Sequence, residues 1–285
     1  MKKILLSLAV AFGMQAGAQT IDAVIADTVR IEHYDDGSKD TLSISKIDSI
    51  TFEYINDTIW VSSSGCNGLT SFAYNGYTYD LVEIGGQCWF KEILQTTTYR
   101  DATPIDYPGT DTTAWLNNTT GAYAWYDDDS STNTSTYGAL YNWHAVDNPA
   151  GLCPTGWHVP SDSSWTVLES YLQANEYNYD GSTTGNKYAK AMADTVLWYA
   201  NSVTGTVGNT DYPSYRNKSE FSGLPGGRRG SSGNYFNIGF HGYWWSSTQY
   251  STINAWHRYL NFYSSNVWRN YNSKESGFSV RCLKD

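Results

Sequence analysis

An α+β fold is predicted, with small central antiparallel sheets, two flanking helices and long loops, and a small β unit ahead of it. Three observations predict it. The chain holds 12 Trp, 24 Tyr and 9 Phe against only 16% charged residues, a composition that favours strands and structured loops over a helical bundle. Residues 71–74 and 77–84 flank Asn75-Gly76, the two-residue signature of a hairpin turn. Val159-Pro160 runs extended into Ser161, a good N-cap, after which Trp165, Leu168 and Leu172 recur on one helical face.

The chain opens with Lys2 and Lys3, an apolar run from Ile4 to Phe12, and Ala16-Gly17-Ala18 before Gln19. This reads as a cleaved secretory signal peptide over residues 1–18. The apolar run is too short to cross a bilayer, and no later stretch approaches the roughly 20 apolar residues a spanning helix needs. No cysteine stands at the cleavage point for lipid attachment. The expected location is therefore the periplasm, the cell surface or the extracellular space, with no membrane span. Loss of Lys2 and Lys3 moves the formal net charge from -10 to -12, which makes nucleic acid a poor partner.

Residues 19–60 differ in character from the remainder of the chain. Strand patterns at 24–33, 41–44 and 49–54, with a turn at 35–37, describe a β unit too small to hold a core alone. It either docks on the main domain or serves as an arm for assembly. Residues 61–65, with Ser62-Ser63-Ser64-Gly65, read as a linker. Residues 66–285 then form one domain. Its two expected helices cover 162–173 and 187–193, and its long loops are candidates for function.

An exported chain can hold disulfides, and Cys66, Cys88, Cys153 and Cys282 all lie beyond the leader. Three pairings are possible in principle. The hairpin between Cys66 and Cys88 favours joining those two, leaving Cys153 to Cys282. On a chain-entropy basis the short loop is worth about 3 kcal/mol and the long one about 5 kcal/mol. A zinc site is the competing reading. It lacks any Cys-x-x-Cys pair, and His33, His144, His158, His241 and His257 are scattered without His-x-x-x-His spacing.

Several blocks occur in a fixed order: residues 77–92 (Tyr-Thr-Tyr-Asp-Leu-Val-Glu-Ile-Gly-Gly-Gln-Cys-Trp-Phe-Lys-Glu), 137–146, 153–165, 221–228 (Phe-Ser-Gly-Leu-Pro-Gly-Gly-Arg), 243–248 and 277–282 (Gly-Phe-Ser-Val-Arg-Cys). Together they resemble the Fibrobacter succinogenes major paralogous domain, a family of exported bacterial proteins also common in Bacteroidetes. Ile93 departs from the family, which has asparagine there. The family in turn resembles the C-type lectin-like superfold, which also houses formylglycine-generating sulfatase-modifying enzymes. That resemblance implies terminal strands paired with each other, helices flanking a small central sheet, and a long loop region above it. It implies no function, because the superfold hosts sugar binders, protein binders and enzymes.

Calcium lectins of this superfold use Glu-Pro-Asn or Gln-Pro-Asp loops and a Trp-Asn-Asp strand, none of which occurs here. The nearest set of hard oxygen ligands is Asp127 and Asp129 with Asn133, beside Asp128. It lacks ordered ligand spacing, so a solvated acidic loop competes with a calcium site. No cofactor is otherwise expected. Calcium-free glycan binding needs aromatic faces for sugar rings and polar groups for hydroxyls. Trp115, Trp125, Tyr126, Tyr235, Trp256 and Trp268 are the loop candidates, while Trp89, Trp157, Trp165, Trp244 and Trp245 are assigned to the core. Arg228 and Arg229 on the Gly226–Gly230 turn suit an anionic ligand such as a uronic acid. The alternative is that one Arg pairs with an acid and stacks on a Trp.

No hydrolase triad or carboxylate pair can be placed, and no catalytic residue is assigned. Tripeptides opening at Asp27, Asp40, Asp48, Asp57, Asp111 and Asp194 resemble the O-glycosylation acceptor of Bacteroidetes exported proteins; strand alternation accounts for them equally. The function expected is a non-catalytic module whose loop face binds glycan or a cell-surface protein. A structural or adhesion subunit assembling through residues 19–60, and an oxidase-like enzyme with a free thiol, are the alternatives.

Overall fold

The computed structural model describes residues 65–285, and before them the backbone of five strands. By Cα proximity the chain divides into two units, Met1–Gly68 and Leu69–Asp285. In the first, β1 (Ile4–Ser7), β2 (Thr28–His33) and β3 (Lys39–Ser43) form an antiparallel sheet in that order. β4 (Thr51–Ile55) pairs with β5 (Thr58–Ser62), which runs two residues into the expected linker. The leader's cleavage point and the turn at 35–37 lie outside the described residues, as do the side chains of the first four Asp tripeptides.

The second unit is α+β, with two five-stranded sheets. The first contains β6 (Ser71–Tyr74), β7 (Tyr77–Ile84), β8 (Gln87–Phe90), β11 (Trp157–His158) and β17 (Leu283–Lys284), in the order β11-β17-β8-β7-β6. The β6–β7 turn is Asn75-Gly76 as expected, with φ of 46° and 79°. Two positive φ values make the turn whose twist matches the flanking strands. The domain's last strand thus lies between two earlier ones. The second sheet contains β12 (Gly226–Arg229), β13 (Tyr235–Ile238), β14 (His241–Gln249), β15 (Asn254–Asn261) and β16 (Trp268–Ser273), in the order β13-β12-β14-β15-β16. A two-residue ladder joins β9 (Tyr123–Ala124) to β10 (Leu140–Tyr141).

The helix begun by Ser161 is the longest among the described residues. Ser161 Oγ accepts from the Ser164 amide at 3.0 Å. Asp162 sits in the first turn, where the helix dipole favours an anion. Trp165, Leu168 and Leu172 face a core shared with Val82, Trp89, Phe221, Trp244 and Leu260. Trp89 and Trp165 pack with ring centroids 5.0 Å apart, and each removes on the order of 200 Å² of surface from water. All five tryptophans expected in the core are buried.

The helix, Asp162–Ala174, is α4 in chain order; the shorter ones are α1 (Thr112–Leu116), α2 (Ser130–Tyr137), α3 (Trp143–Val146) and α5 (Ala189–Met192). The expectation of two helices therefore falls short. The second expected helix shrinks to the single turn of α5. The three unexpected ones are short or polar and are held by side-chain caps from Asp111, Asp129 and Asn142.

Cys153 and Cys282 are joined across 129 residues. Cys66 and Cys88 are also disulfide-bonded and no cysteine is free, so with four cysteines in the chain these two pair with each other. Both pairings match the expectation. Replacing Cys153 and Cys282 together by alanine should lower unfolding free energy by about 5 kcal/mol. Chemical denaturation monitored by tryptophan fluorescence reads this directly, and an unchanged midpoint would contradict it.

Candidate functional site

The second sheet sorts its side chains by strand parity, because successive residues of a strand point to opposite faces. Register places Trp244, Arg258 and Arg269 in one cross-strand row, and Tyr243, Tyr259 and Trp268 in the adjacent row on the other face. The first face packs on α4. Arg258, buried, pairs with Asp162 at 2.6 Å and with Glu169. Arg269 makes a two-pronged contact with the same Asp162 carboxylate.

The second face is covered at one end only. There Trp245 stacks on Phe278 at 4.2 Å, and Trp143 donates its indole N–H to the Ser246 carbonyl. Toward the start of β14 the face opens beyond Tyr243, which is itself buried with Phe278 stacked on it at 5.0 Å. Tyr243 and Tyr259 lie 5.5 Å apart by centroid, and Tyr259 and Trp268 6.0 Å apart with an interplanar angle of 11°. His241 stacks on Tyr243 at 5.5 Å. Trp268 and Tyr263 are the exposed members, at 42% and 55%. The β12–β13 hairpin forms the wall: Arg228 lies over Phe236 and Tyr243 at 5.5 and 5.7 Å, and Asn237 donates to the Tyr243 hydroxyl at 3.0 Å.

Gly227 sets that wall. Its φ is +65°, and a Cβ there would meet the Phe236 carbonyl oxygen at 2.5 Å and the Tyr126 ring at 2.7 Å. Only glycine tolerates both the angle and the approach. The next two residues, Arg228 and Arg229, then diverge.

Electrostatics simplify this face. Burial, with the nearby Arg228 charge second, pushes His241 down to about 4. Burial again, then Arg228 and Arg258, pushes His257, at the covered end of the same face, down to about 3. Both imidazoles are neutral near pH 7, and Nδ1 of each is buried without a partner. Burial also raises the phenols of Tyr243 and Tyr259. Of the residues named as lining this face, Arg228 alone is charged.

The structure divides the residues singled out from sequence. Arg228 and Trp268 come together on the open face. Trp256 lies on the opposite face, where the Arg269 guanidinium covers it at 3.4 Å beside stacked Tyr250 and Tyr271. Trp115, expected in a loop, is instead completely buried in α1, donating to the Glu275 carbonyl. Trp125 and Tyr126 are buried as well. Arg229 is fully buried: its guanidinium lies 4.3 Å over Trp115 and 5.0 Å over Tyr235, with Asp128 at 3.7 Å. That is the structural alternative posed for one of the two arginines, and it draws Tyr235 into the same stack.

Two of the three oxygen ligands proposed for calcium have other tasks, while Asp127 is exposed. Asp129 caps α2 through the Thr132 amide, and Asn133 is buried, donating to the Tyr126 carbonyl. No group of three His, Cys, Asp or Glu suited to a metal occurs among the described residues. Sequence reasoning missed His241, Tyr243, Tyr259, Tyr263, Phe236 and Asn237. The alternation through 254–261 could have indicated their parity, but not which strand lies beside which.

A separate cavity of about 380 Å³ is lined by Lys91, Glu92, Ile93, Asp194 and Arg281 among others. Its arginine is committed: Arg281 donates to the carbonyls of Phe90, Phe221 and Ser222 and lies over the Phe221 ring. Ile93 is buried at its edge.

Compared with known proteins, the chain matches the family model of the Fibrobacter succinogenes major domain over residues 82–284. No curated protein and no solved structure matches it.

The histidines predict an acid-side slope. A folded-state value near 3 lies below the ordinary 6.5, so the unfolded chain takes up the proton first. Stability is full above about pH 6.5 and falls as pH drops toward 3. His257→Phe, which keeps a ring against Phe278, should flatten part of that slope while leaving the neutral-pH midpoint within about 1 kcal/mol. Urea midpoints from pH 4 to 7.5 measure it; parallel curves for the two proteins would contradict the assignment.

Proposed function

The chain belongs to the Fibrobacter succinogenes major domain family, and on that footing we propose an exported, non-catalytic binding module that holds glycan on the open aromatic face of β14, β15 and β16. The observation that carries the reading is the row Tyr243, Tyr259 and Trp268, ending in a half-exposed indole. Aromatic faces pack against the apolar faces of sugar rings, while amide and imidazole groups at the rim meet hydroxyls. Asn237 and His241 supply such groups. Export is supported by the leader-like first 18 residues together with two disulfides, which persist in oxidising compartments. The bonding of all four cysteines weighs against the oxidase-like alternative, and thiol counting on the unreduced protein tests it.

A polysaccharide array probed with the full chain, with and without chelator, should give hits that chelator does not remove. Trp268→Ala should weaken those hits by about tenfold or more, as expected for an aromatic anchor. An array without hits would sink the proposal.

The separate N-terminal unit favours a second reading, a surface-assembly subunit. Under that reading, deletion of residues 19–60 abolishes higher-order assembly in sedimentation while the tryptophan near-UV signal persists. Unchanged assembly rules it out.

A further inference from the structure

Seven arginines lie in residues 65–285, and six of them are committed. Arg100 donates to the carbonyls of Cys153 and Trp157, and Arg216 to that of Thr195. Arg229, Arg258 and Arg269 face carboxylates, and Arg281 is held by three carbonyls. Arg228 makes no side-chain hydrogen bond and no ion pair among the described residues, and its Nε is buried without a partner. It is only partly exposed, so water does not fully replace what is missing.

A guanidinium has five N–H donors in a planar fork matched to a carboxylate. A buried donor left without a partner carries a desolvation cost that a bound anion relieves. The neighbours of Arg228 are the rings of Phe236 and Tyr243, which offer its N–H donors no oxygen acceptor. Burial first and then the Arg228 charge lower both His241 and His257, the latter with Arg258 as well. This cationic spot occurs on a chain of formal net charge -10, where acidic neighbours are the common case.

We propose that the open face selects carboxylated glycans, a uronic acid unit placing its carboxylate on Arg228 while its own or a neighbouring ring packs along Tyr259 and Trp268. This rests on the glycan-binding role of the same face and names its substrate class. The row is formed by successive spacings of 5.5 and 6.0 Å from Tyr243 outward. It is wider than one sugar ring, so an oligosaccharide can meet the charge and the indole together. A peptide carboxylate would use Arg228 equally, but would leave the aromatic row without a matching flat ring.

The test compares oligogalacturonate with its fully methyl-esterified form by calorimetry on the full chain, beside an array carrying other uronate-bearing and neutral polysaccharides. Esterification removes the charge and keeps the sugar. Tighter binding of the acid by on the order of tenfold is expected, with the advantage shrinking as salt rises from 50 to 500 mM. Arg228→Gln should erase the difference between acid and ester, and Arg228→Lys should keep only part of it. Trp268→Ala should weaken both ligands alike. The salt series and the ester comparison use the unaltered chain, so the test survives if Arg228→Gln does not fold. Equal affinity for acid and ester, or neutral hits as strong as uronate hits across the array, overturns the selectivity and leaves glycan binding standing. Absence of any glycan hit overturns both.

Discussion

One buried stretch of backbone holds this domain together: residues 277–283, which run between the two five-stranded sheets and bond to both. Gly277 exchanges hydrogen bonds with Arg229 of β12, Phe278 with Tyr141 of β10, and Ser279 bridges Tyr243 and Trp245 of β14. Val280 and Cys282 then accept from Leu94 and Phe90 on the side of the first sheet. Its side chains are almost wholly buried. Buried amides and carbonyls must find partners, and here the partners are spread over β8, β10, β12 and β14. The segment therefore cannot shift in register for one sheet without losing bonds to the other. The disulfide from Cys153 fastens the segment to the turn that leads into β11 and α4.

That constraint explains why the open face has a defined shape. Tyr243 itself accepts from the Ser279 amide, and Arg228 precedes the residue that pairs with Gly277. The wall and the floor of the site are thus located by the same buried backbone. The other face of the same sheet is tied to α4 by a dense set of charges. Asp162 takes both Arg258 and Arg269, and Glu169 takes Arg258 and the Tyr188 hydroxyl. Buried charges are tolerated only when paired. Parity alone decides which arginine is structural. Arg228 and Arg229 are neighbours in sequence, yet one is buried against Asp128, Trp115 and Tyr235, and the other is left over the aromatic row.

Much of this was legible in the sequence, for identifiable reasons. The hairpin at Asn75-Gly76 and the helix after Ser161 depend on local chemistry: positive φ, an N-cap, and apolar spacing of three and four. The cysteine pairing followed from the hairpin between Cys66 and Cys88. What failed depended on distant partners. Ser130–Tyr137 has almost no apolar residues and is a helix because Asp129 caps it and Asn133 is anchored to Tyr126. Trp115 looked like a loop aromatic, but α1 turns it beneath a guanidinium from more than a hundred residues later. The site itself was half visible. Arg228 and Trp268 were named from composition and turn chemistry, while His241, Tyr243 and Tyr259 join them only through cross-strand register, which no short-range pattern encodes.

The position of the aromatic row on strands, rather than on loops, bears on how it can bind. Rings carried by a central ladder lose little further freedom when a ligand arrives, because Tyr243 and Tyr259 are already packed against each other and against neutral histidines. Ordering costs on binding fall mainly on rotamer-rich, mobile side chains. Only Trp268 and Tyr263 at the rim retain that freedom, and the Trp268 indole N–H is partly restrained by Ser264 at 3.2 Å. A preformed platform of this kind distinguishes ligands by what meets its fixed groups. With both histidines neutral, the charged group named on this face is the guanidinium of Arg228.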